Sequence, residues 1–367
     1  MVLAWRLAGK VGTTIAAVFQ RAGEIEFRTL QTPEPAGAEV LVRVIGCTLC
    51  ASDLHSFEGR RQVPMPTILG HEIVGEIVAF GPDAQRLDLV GSRLNVGDRV
   101  SWAVVANCDE CYFCIRGLPQ KCLHSIKYGH QPMRPGAELL GGLAQHCLLV
   151  RGTKIMRWSE DVPLAVACPA SCATATAMAA LEAAGEIRGR SIAVLGAGML
   201  GLTSCAIAAV KGAAKVVCVD PSAERRERST SFGATLAADI SDIAEVKDRI
   251  TDRHGFDAVI EMSGAASAFQ CAYDNVRTGG ALVLVGSVFP APPVPLLTEM
   301  VVRRCLKIQG IHNYTPTNFL TAVEFLSQVH SQFPFASLVS TWKPLREVRE
   351  ALHLAGQLGA VRIGIAF

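Results

Sequence analysis

The 367-residue sequence has no excess of charge of either sign: 35 lysines and arginines face 33 aspartates and glutamates, for a formal net charge of +2. A nucleic-acid binder concentrates basic residues to neutralise phosphates, so this balance argues against one. There is no uninterrupted apolar run of the roughly 20 residues that a membrane helix needs. The apolar stretches that do occur, such as 198–210, are rich in glycine and alanine in the manner of buried helices. The opening residues, MVLAWRLAGKVGTT, lack the order of a signal peptide, because Arg6 and Lys10 interrupt the apolar run. Repeats and low-complexity linkers are missing too. The expectation is a soluble, cytoplasmic chain. Half of its residues are hydrophobic and 19% are charged, a globular balance far from disorder. Its length favours two domains.

What is present divides the chain. The first part reads as short strands punctuated by Gly and Pro: TTIAAVFQ, IEFRTL, EVLVRVIG, EIVGEIVAFG, and a tight turn at Gly97-Asp98 entering another. From about residue 172 the texture becomes an alternation. SIAVLG, KVVCVD, FDAVIEM, ALVLVG and LKIQGI are strand candidates, separated by helical stretches such as PSAERRERSTSFGA and DIAEVKDRITDRHG. Alternation of this kind predicts a doubly wound parallel sheet, and an α/β fold. The tail, from about Thr315, offers two helices and a closing strand, AVRIGIAF, that rejoin the first domain.

Thirteen cysteines is a high count, and their spacing gives it meaning. Cys108-x2-Cys111-x2-Cys114-x7-Cys122 places four thiolates where they can wrap one tetrahedral ion. Such a closed shell leaves no position for substrate, so a structural zinc is the reading, with redox pairs, disulfides or an iron–sulfur cluster as alternatives. A second group, Cys50-x-Ser52-Asp53-x-His55 followed by Gly70-His71-Glu72, packs a thiol, a hydroxyl, carboxylates and imidazoles together. One more soft ligand would complete an open site of two thiolates and one imidazole. Cys172 is the candidate, with Cys168 as competitor in the same stretch.

The third motif, Gly196-Ala197-Gly198-Met199-Leu200-Gly201, follows the strand SIAVL and opens an Ala-rich helix. Asp220 ends the next strand, at the spacing of a dinucleotide-binding unit. The glycines let the backbone approach a pyrophosphate at a helix N-terminus. Asp220 is placed to accept the adenosine ribose hydroxyls and to repel a 2′-phosphate, which favours NAD over NADP. Arg225 and Arg226, just downstream, could soften that preference.

Together these motifs resemble the zinc-containing medium-chain alcohol dehydrogenases, over essentially the whole chain. The resemblance implies a GroES-like catalytic domain, 1–171 completed by 315–367, and a Rossmann domain, 172–314. It implies two zincs per chain, NAD, a small alcohol or carbonyl substrate, and a homodimer or homotetramer. Cys50, His71 and Cys172 look like the catalytic zinc ligands, and Glu72 like a carboxylate that approaches the metal during ligand exchange. Asp53 resembles the partner of His71, and Ser52 and His55 the proton relay. Thr176 would pack beside the nicotinamide, Arg225 lies at the adenosine end, and Arg362 falls at a pyrophosphate position. Ala51 departs from members that carry a basic residue after the first ligand. The segments GRRQVPMPTILGHEIVGEI, KCLHSIKYGH and SCATATAMAALEAAG are most similar to a subgroup associated with bacterial phosphonate catabolism. Phe57, Arg61, Trp102 and Val104 are the pocket candidates, and Arg61 could grip an anionic substrate. The rival readings are a neutral secondary alcohol or polyol as substrate, a zinc-free enone or quinone reductase of the same fold, and a non-enzymatic binding module.

Overall fold

Side-chain alternation along the strands of the second half decides where the cores lie. In Ser191–Leu195, Ile192 and Val194 enter one hydrophobic cluster while Ala193 and Leu195 enter another. Lys215–Val219 divides likewise, Val216 and Cys218 against Val217 and Val219. A sheet apolar on both faces needs cover on both. Helices Ala173–Ala183, Met199–Val210 and Pro316–Val329 supply one side, Ile243–Ile250 and Ala266–Asn275 the other. Each buried Val, Leu or Ile side chain contributes about 1.5–3 kcal/mol relative to exposure.

The computed structural model describes residues 12–288, 292–356 and 361–367. Residues 1–11, which include most of the opening segment read above for a signal peptide, lie outside the described residues. Six parallel strands run in the order Leu236–Ala238, Lys215–Val219, Ser191–Leu195, Phe256–Glu261, Val276–Leu284, Lys307–Gly310. Numbered along the chain this is 3-2-1-4-5-6, the doubly wound order. Its direction reverses between Ser191–Leu195 and Phe256–Glu261, and ligands of such sheets bind beyond the strand ends at that reversal.

The first half is antiparallel. Val40–Thr48 lies inside a seven-stranded sheet, paired with Glu72–Phe80, with His146–Leu149 and with the tail strand Arg362–Ala366. Thr13–Arg21, Glu24–Gln31 and Thr67–Ile68 form a separate three-stranded sheet. The α/β expectation holds. The strand Leu236–Ala238 was not anticipated, and the segment LREVREALHLAGQ opens with a 3-10 turn, Leu345–Glu347, before its helix, Val348–Ala355. Among the described residues no single helix is long and apolar enough to cross a membrane.

Candidate active site and metal centres

The short helix Ala51–Phe57 starts at Cys50, and a single side chain ties that start to the turn carrying His71. Asp53 accepts hydrogen bonds from the Cys50 N–H (2.9 Å) and the Gly70 N–H (3.1 Å), and its Oδ1 lies 3.3 Å from His71 Nδ1. Gly70 has φ of +88°, and a Cβ there would lie 2.9 Å from Cys47 Sγ, so glycine is required. With Nδ1 facing Asp53, His71 presents Nε2 to the thiols. The ligand atoms of Cys50, His71 and Cys172 all lie within 4.8 Å of one another. Cys168 is outside this group: it is fully buried, against Gly46. Burial alone would lower the basicity of His71, but the Asp53 carboxylate overrides this and raises it to about 10. Two thiols with an imidazole are a donor set that suits zinc.

Glu72 follows directly but is not part of the ligand triangle. Arg362 donates to both of its oxygens, Nε at 2.9 Å and Nη2 at 3.0 Å, and the Thr48 hydroxyl donates at 2.6 Å. Arg362 Nη2 also lies 3.6 Å from Cys50 Sγ. The arginine expected at the cofactor is thus fixed by a buried bidentate pair beside the thiols, a partnership the sequence did not disclose. Ser52 Oγ sits 3.5 Å from His71 Nε2. His55 lies one turn further along the helix. Burial and then Arg60 lower its basicity from the ordinary value, so it is neutral at pH 7 and able to accept a proton.

The four lobe cysteines form the second group. Their sulfurs are 3.5 Å (Cys111–Cys114), 3.8 Å (Cys111–Cys122), 3.5 Å (Cys108–Cys122) and 4.0 Å (Cys108–Cys114) apart. An ion about 2.3 Å from each sulfur sets tetrahedral edges of about 3.8 Å, so the group fits a zinc. All four thiols are free, against the disulfide alternative. The N–H groups of Cys108 and His124 point at Cys122 Sγ, and that of Leu123 at Cys111 Sγ, supporting negative charge there.

At the dinucleotide end, Gly196 has φ of +104°, and a Cβ on Gly201 would lie 1.7 Å from the Gly196 carbonyl oxygen. Gly198 differs: nothing lies within 4 Å of a Cβ built there. Among the described residues no contact demands that glycine, which leaves open space above the turn. Met199 and Leu200 begin the helix Met199–Val210. Asp220 accepts from the Ala197 N–H (2.8 Å) and the Ser222 N–H (2.9 Å), which fixes it beneath the turn. Arg226 donates to the Asp220 and Pro221 carbonyls and to Asp239, so it is committed to the fold, whereas Arg225 is half-exposed at the start of the next helix. Thr176 is one turn beyond Cys172 in Ala173–Ala183, which packs on Met199–Val210.

The pocket candidates divide. Phe57 and Trp102 are core residues, edge-on to His353 and Tyr128 respectively, and this packing corrects the expectation that they line the substrate. Val104 is also in a core, its N–H donating to the Tyr314 hydroxyl. Arg61 remains half-buried, its N–H donating to the His55 carbonyl at 3.0 Å. Spacing gave no hint of Lys121, Lys127 and His130, which lie within ten positions of one another, or of His312, which comes from a distant segment. The His130 ring lies 5.1 Å from that of His71.

Comparison with known proteins agrees with this geometry. Residues 36–160 match the alcohol dehydrogenase GroES-like domain, and residues 200–328 the zinc-binding dehydrogenase family. The chain is 30% identical over 340 residues to the L-threonine 3-dehydrogenase of Coxiella burnetii, covering 90% of this chain and 93% of that one. Among solved structures, an alcohol dehydrogenase from Thermotoga maritima superposes with a TM-score of 0.91 at 27% identity, covering 96% of this chain and 99% of that chain. A Sinorhizobium meliloti chain solved with NADP superposes with a TM-score of 0.85 at 22% identity, covering 97% of this chain and all of that one, a likeness of fold alone.

Proposed function

The chain belongs to the zinc-binding medium-chain alcohol dehydrogenases, and from that premise we propose that it oxidises an anionic, phosphonate-bearing alcohol to the carbonyl compound with NAD as hydride acceptor. The observation that carries the reading is the triangle of Cys50, His71 and Cys172, whose ligand atoms lie within 4.8 Å of one another at the start of the helix that leads to the dinucleotide sheet. These three hold a catalytic zinc, and Cys108, Cys111, Cys114 and Cys122 a structural one, giving two per chain. A zinc there supplies Lewis acidity that lowers the pKa of the alcohol, and the nicotinamide supplies the hydride acceptor.

The chain's own residues do the rest. Asp53 holds His71 in the tautomer that offers Nε2. Ser52 Oγ would accept the alcohol proton as it gives up its own, and the neutral His55 imidazole, reached through a ribose hydroxyl of the cofactor, would carry that proton towards solvent. The Arg362–Glu72 pair seats a fixed cation beside Cys50. Glu72 is engaged by Arg362 and Thr48, so any approach to a metal requires it to leave both. Thr176 packs beside the nicotinamide. Arg61 faces the anionic end of the substrate.

The preference for NAD rests on the buried Asp220, a carboxylate where a 2′-phosphate would have to lie. Metal analysis together with an NAD and NADP reduction screen across neutral alcohols, polyols and hydroxyphosphonates tests the whole reading. Two zincs per chain and faster NAD reduction are expected. Absence of zinc with retained enone reduction would sink the dehydrogenase, and a preference for NADP at matched concentrations would sink the role of Asp220.

A further inference from the structure

Beside the thiol–imidazole triangle lies a concentration of positive charge of which the chemistry above uses only Arg61. The segment Lys127–His130 walls the site: a Cβ on Gly129 would lie 2.6 Å from the Gly70 carbonyl oxygen, and the His130 ring is 5.1 Å from that of His71. Lys127 is half-buried, its Nζ donating to Asn313 Oδ1 at 3.3 Å. Next to Asn313, His312 accepts through Nδ1 from Lys121 Nζ at 2.6 Å. Lys121, His312 and Asn313 line a cavity of about 940 Å³ between the four-cysteine lobe and the edge of the parallel sheet. Glu182 lines the same cavity and accepts from Asn318.

Glu182 apart, no carboxylate among the described residues is seen to approach these cations. The neighbouring ion pairs engage Arg60 with Glu58 and Lys154 with Asp109, but among the described residues none engages Arg61, Lys121 or Lys127. The thiols of Cys50 and Cys172 act on Lys127 electrostatically, but two thiolates would be offset by a bound divalent ion. The crowding shows in the titration of its members. Burial and then Arg61 push Lys127 down to about 8, and burial followed by Lys127, Lys121 and Arg61 pushes His312 to about 4. A half-buried cation without a partner is costly, and one that persists beside a reacting centre calls for an anion delivered by the substrate.

We propose that Lys127 forms an anion subsite, with Lys121 and His312 as its outer approach and Arg61 on the His55 side, that holds a tetrahedral dianion (a phosphonate or phosphate group) carried by the alcohol. Three cations exceed what one carboxylate would balance, which favours the doubly charged group. The subsite rests on the dehydrogenase reading for its substrate, but its anion affinity can be read without turnover.

The test is calorimetric titration of inorganic phosphate and of acetate into the zinc-loaded enzyme saturated with NAD, so that cofactor phosphate contacts are already filled. Phosphate is expected to bind at least about tenfold more tightly than acetate, and Lys127→Gln to weaken it by about tenfold or more. Lys215→Gln, which removes the same charge from an exposed position, controls for net charge. Steady-state rates then compare a phosphonate-bearing alcohol with a neutral one of equal chain length, and Lys127→Gln should cost the charged one about tenfold more in kcat/KM. Equal affinity for phosphate and acetate, no effect of Lys127→Gln on phosphate, or equal losses on both alcohols overturns the subsite. If phosphate binds through Lys127 while no alcohol reduces NAD, the dehydrogenase reading fails and the subsite stands.

Discussion

At the scale of single residues, Cys172 and Cys168 separate chemistry from packing. Only Cys172 places its sulfur with Cys50 and His71. Cys172→Ala should therefore lose one of two zincs and hydride transfer while the lobe metal remains, whereas Cys168→Ala should keep both. Metal content and turnover, measured on the same preparations, decide it; damage confined to the Cys168 variant would reverse the assignment. His55 sets an acid limit. Its basicity is lowered, so the neutral form that accepts a proton persists below the ordinary histidine pKa of about 6.5. As pH falls through that lowered value, imidazolium accumulates and kcat should decline, and His55→Gln should remove this acid limb from the pH profile. The four-cysteine set was legible because it is local, four cysteines within fifteen positions, whereas Cys50, His71 and Cys172 come from three segments and only the Cys50-Ser52-Asp53-His55 cluster and the Gly70-His71-Glu72 turn marked the first two. Lys127, His130 and His312 were not legible, because only tertiary pairing brings them to the same wall. Trp102 misled for a related reason. A large aromatic near a site reads as pocket lining until its ring is seen packed against Tyr128.

Among the elements, the four-cysteine lobe stands apart. Its regular structure is two 3-10 turns, Cys114–Arg116 and Pro119–Lys121, neither with a buried residue, and it exposes Tyr112, Ile115, Leu118 and Leu123. With so little apolar burial of its own, the lobe should depend on the zinc proposed for its four thiols. Replacing Cys111 by Ser should raise hydrogen exchange across 108–124 while the parallel sheet keeps its protection. Uniform loss of protection would mean that the lobe and the sheet unfold as one unit. The strands of that sheet were legible from their apolar runs bounded by turns. Leu236–Ala238 escaped because three residues, two of them alanine, carry neither β-branched character nor period. It is defined instead by its partner, Val217–Val219.

Across the whole molecule, the tail strand Arg362–Ala366 links distant parts of the sequence, pairing with Gly46–Thr48 and anchoring Glu72. Glu72 is fully buried, so Arg362→Ala leaves a charged group without compensation and should cost about 3–5 kcal/mol. Thermal unfolding should register this, and Glu72→Gln combined with Arg362→Ala should recover part of the loss. A double variant no more stable than Arg362→Ala would assign the cost to lost packing. The doubly wound order was readable from alternation alone, but the return of the tail to a particular strand was not, since strand pairing leaves no periodic trace.

That same ion pair has a consequence in time. Glu72 and Arg362 are 290 positions apart, so during synthesis the carboxylate is made long before its arginine. Until the tail strand docks, Glu72 lacks the guanidinium that pairs with it in the finished fold. Docking of the tail then neutralises that carboxylate and sets a guanidinium 3.6 Å from Cys50 Sγ. The charge beside Cys50 thus reaches its finished balance only once Arg362 has been made and its strand has docked.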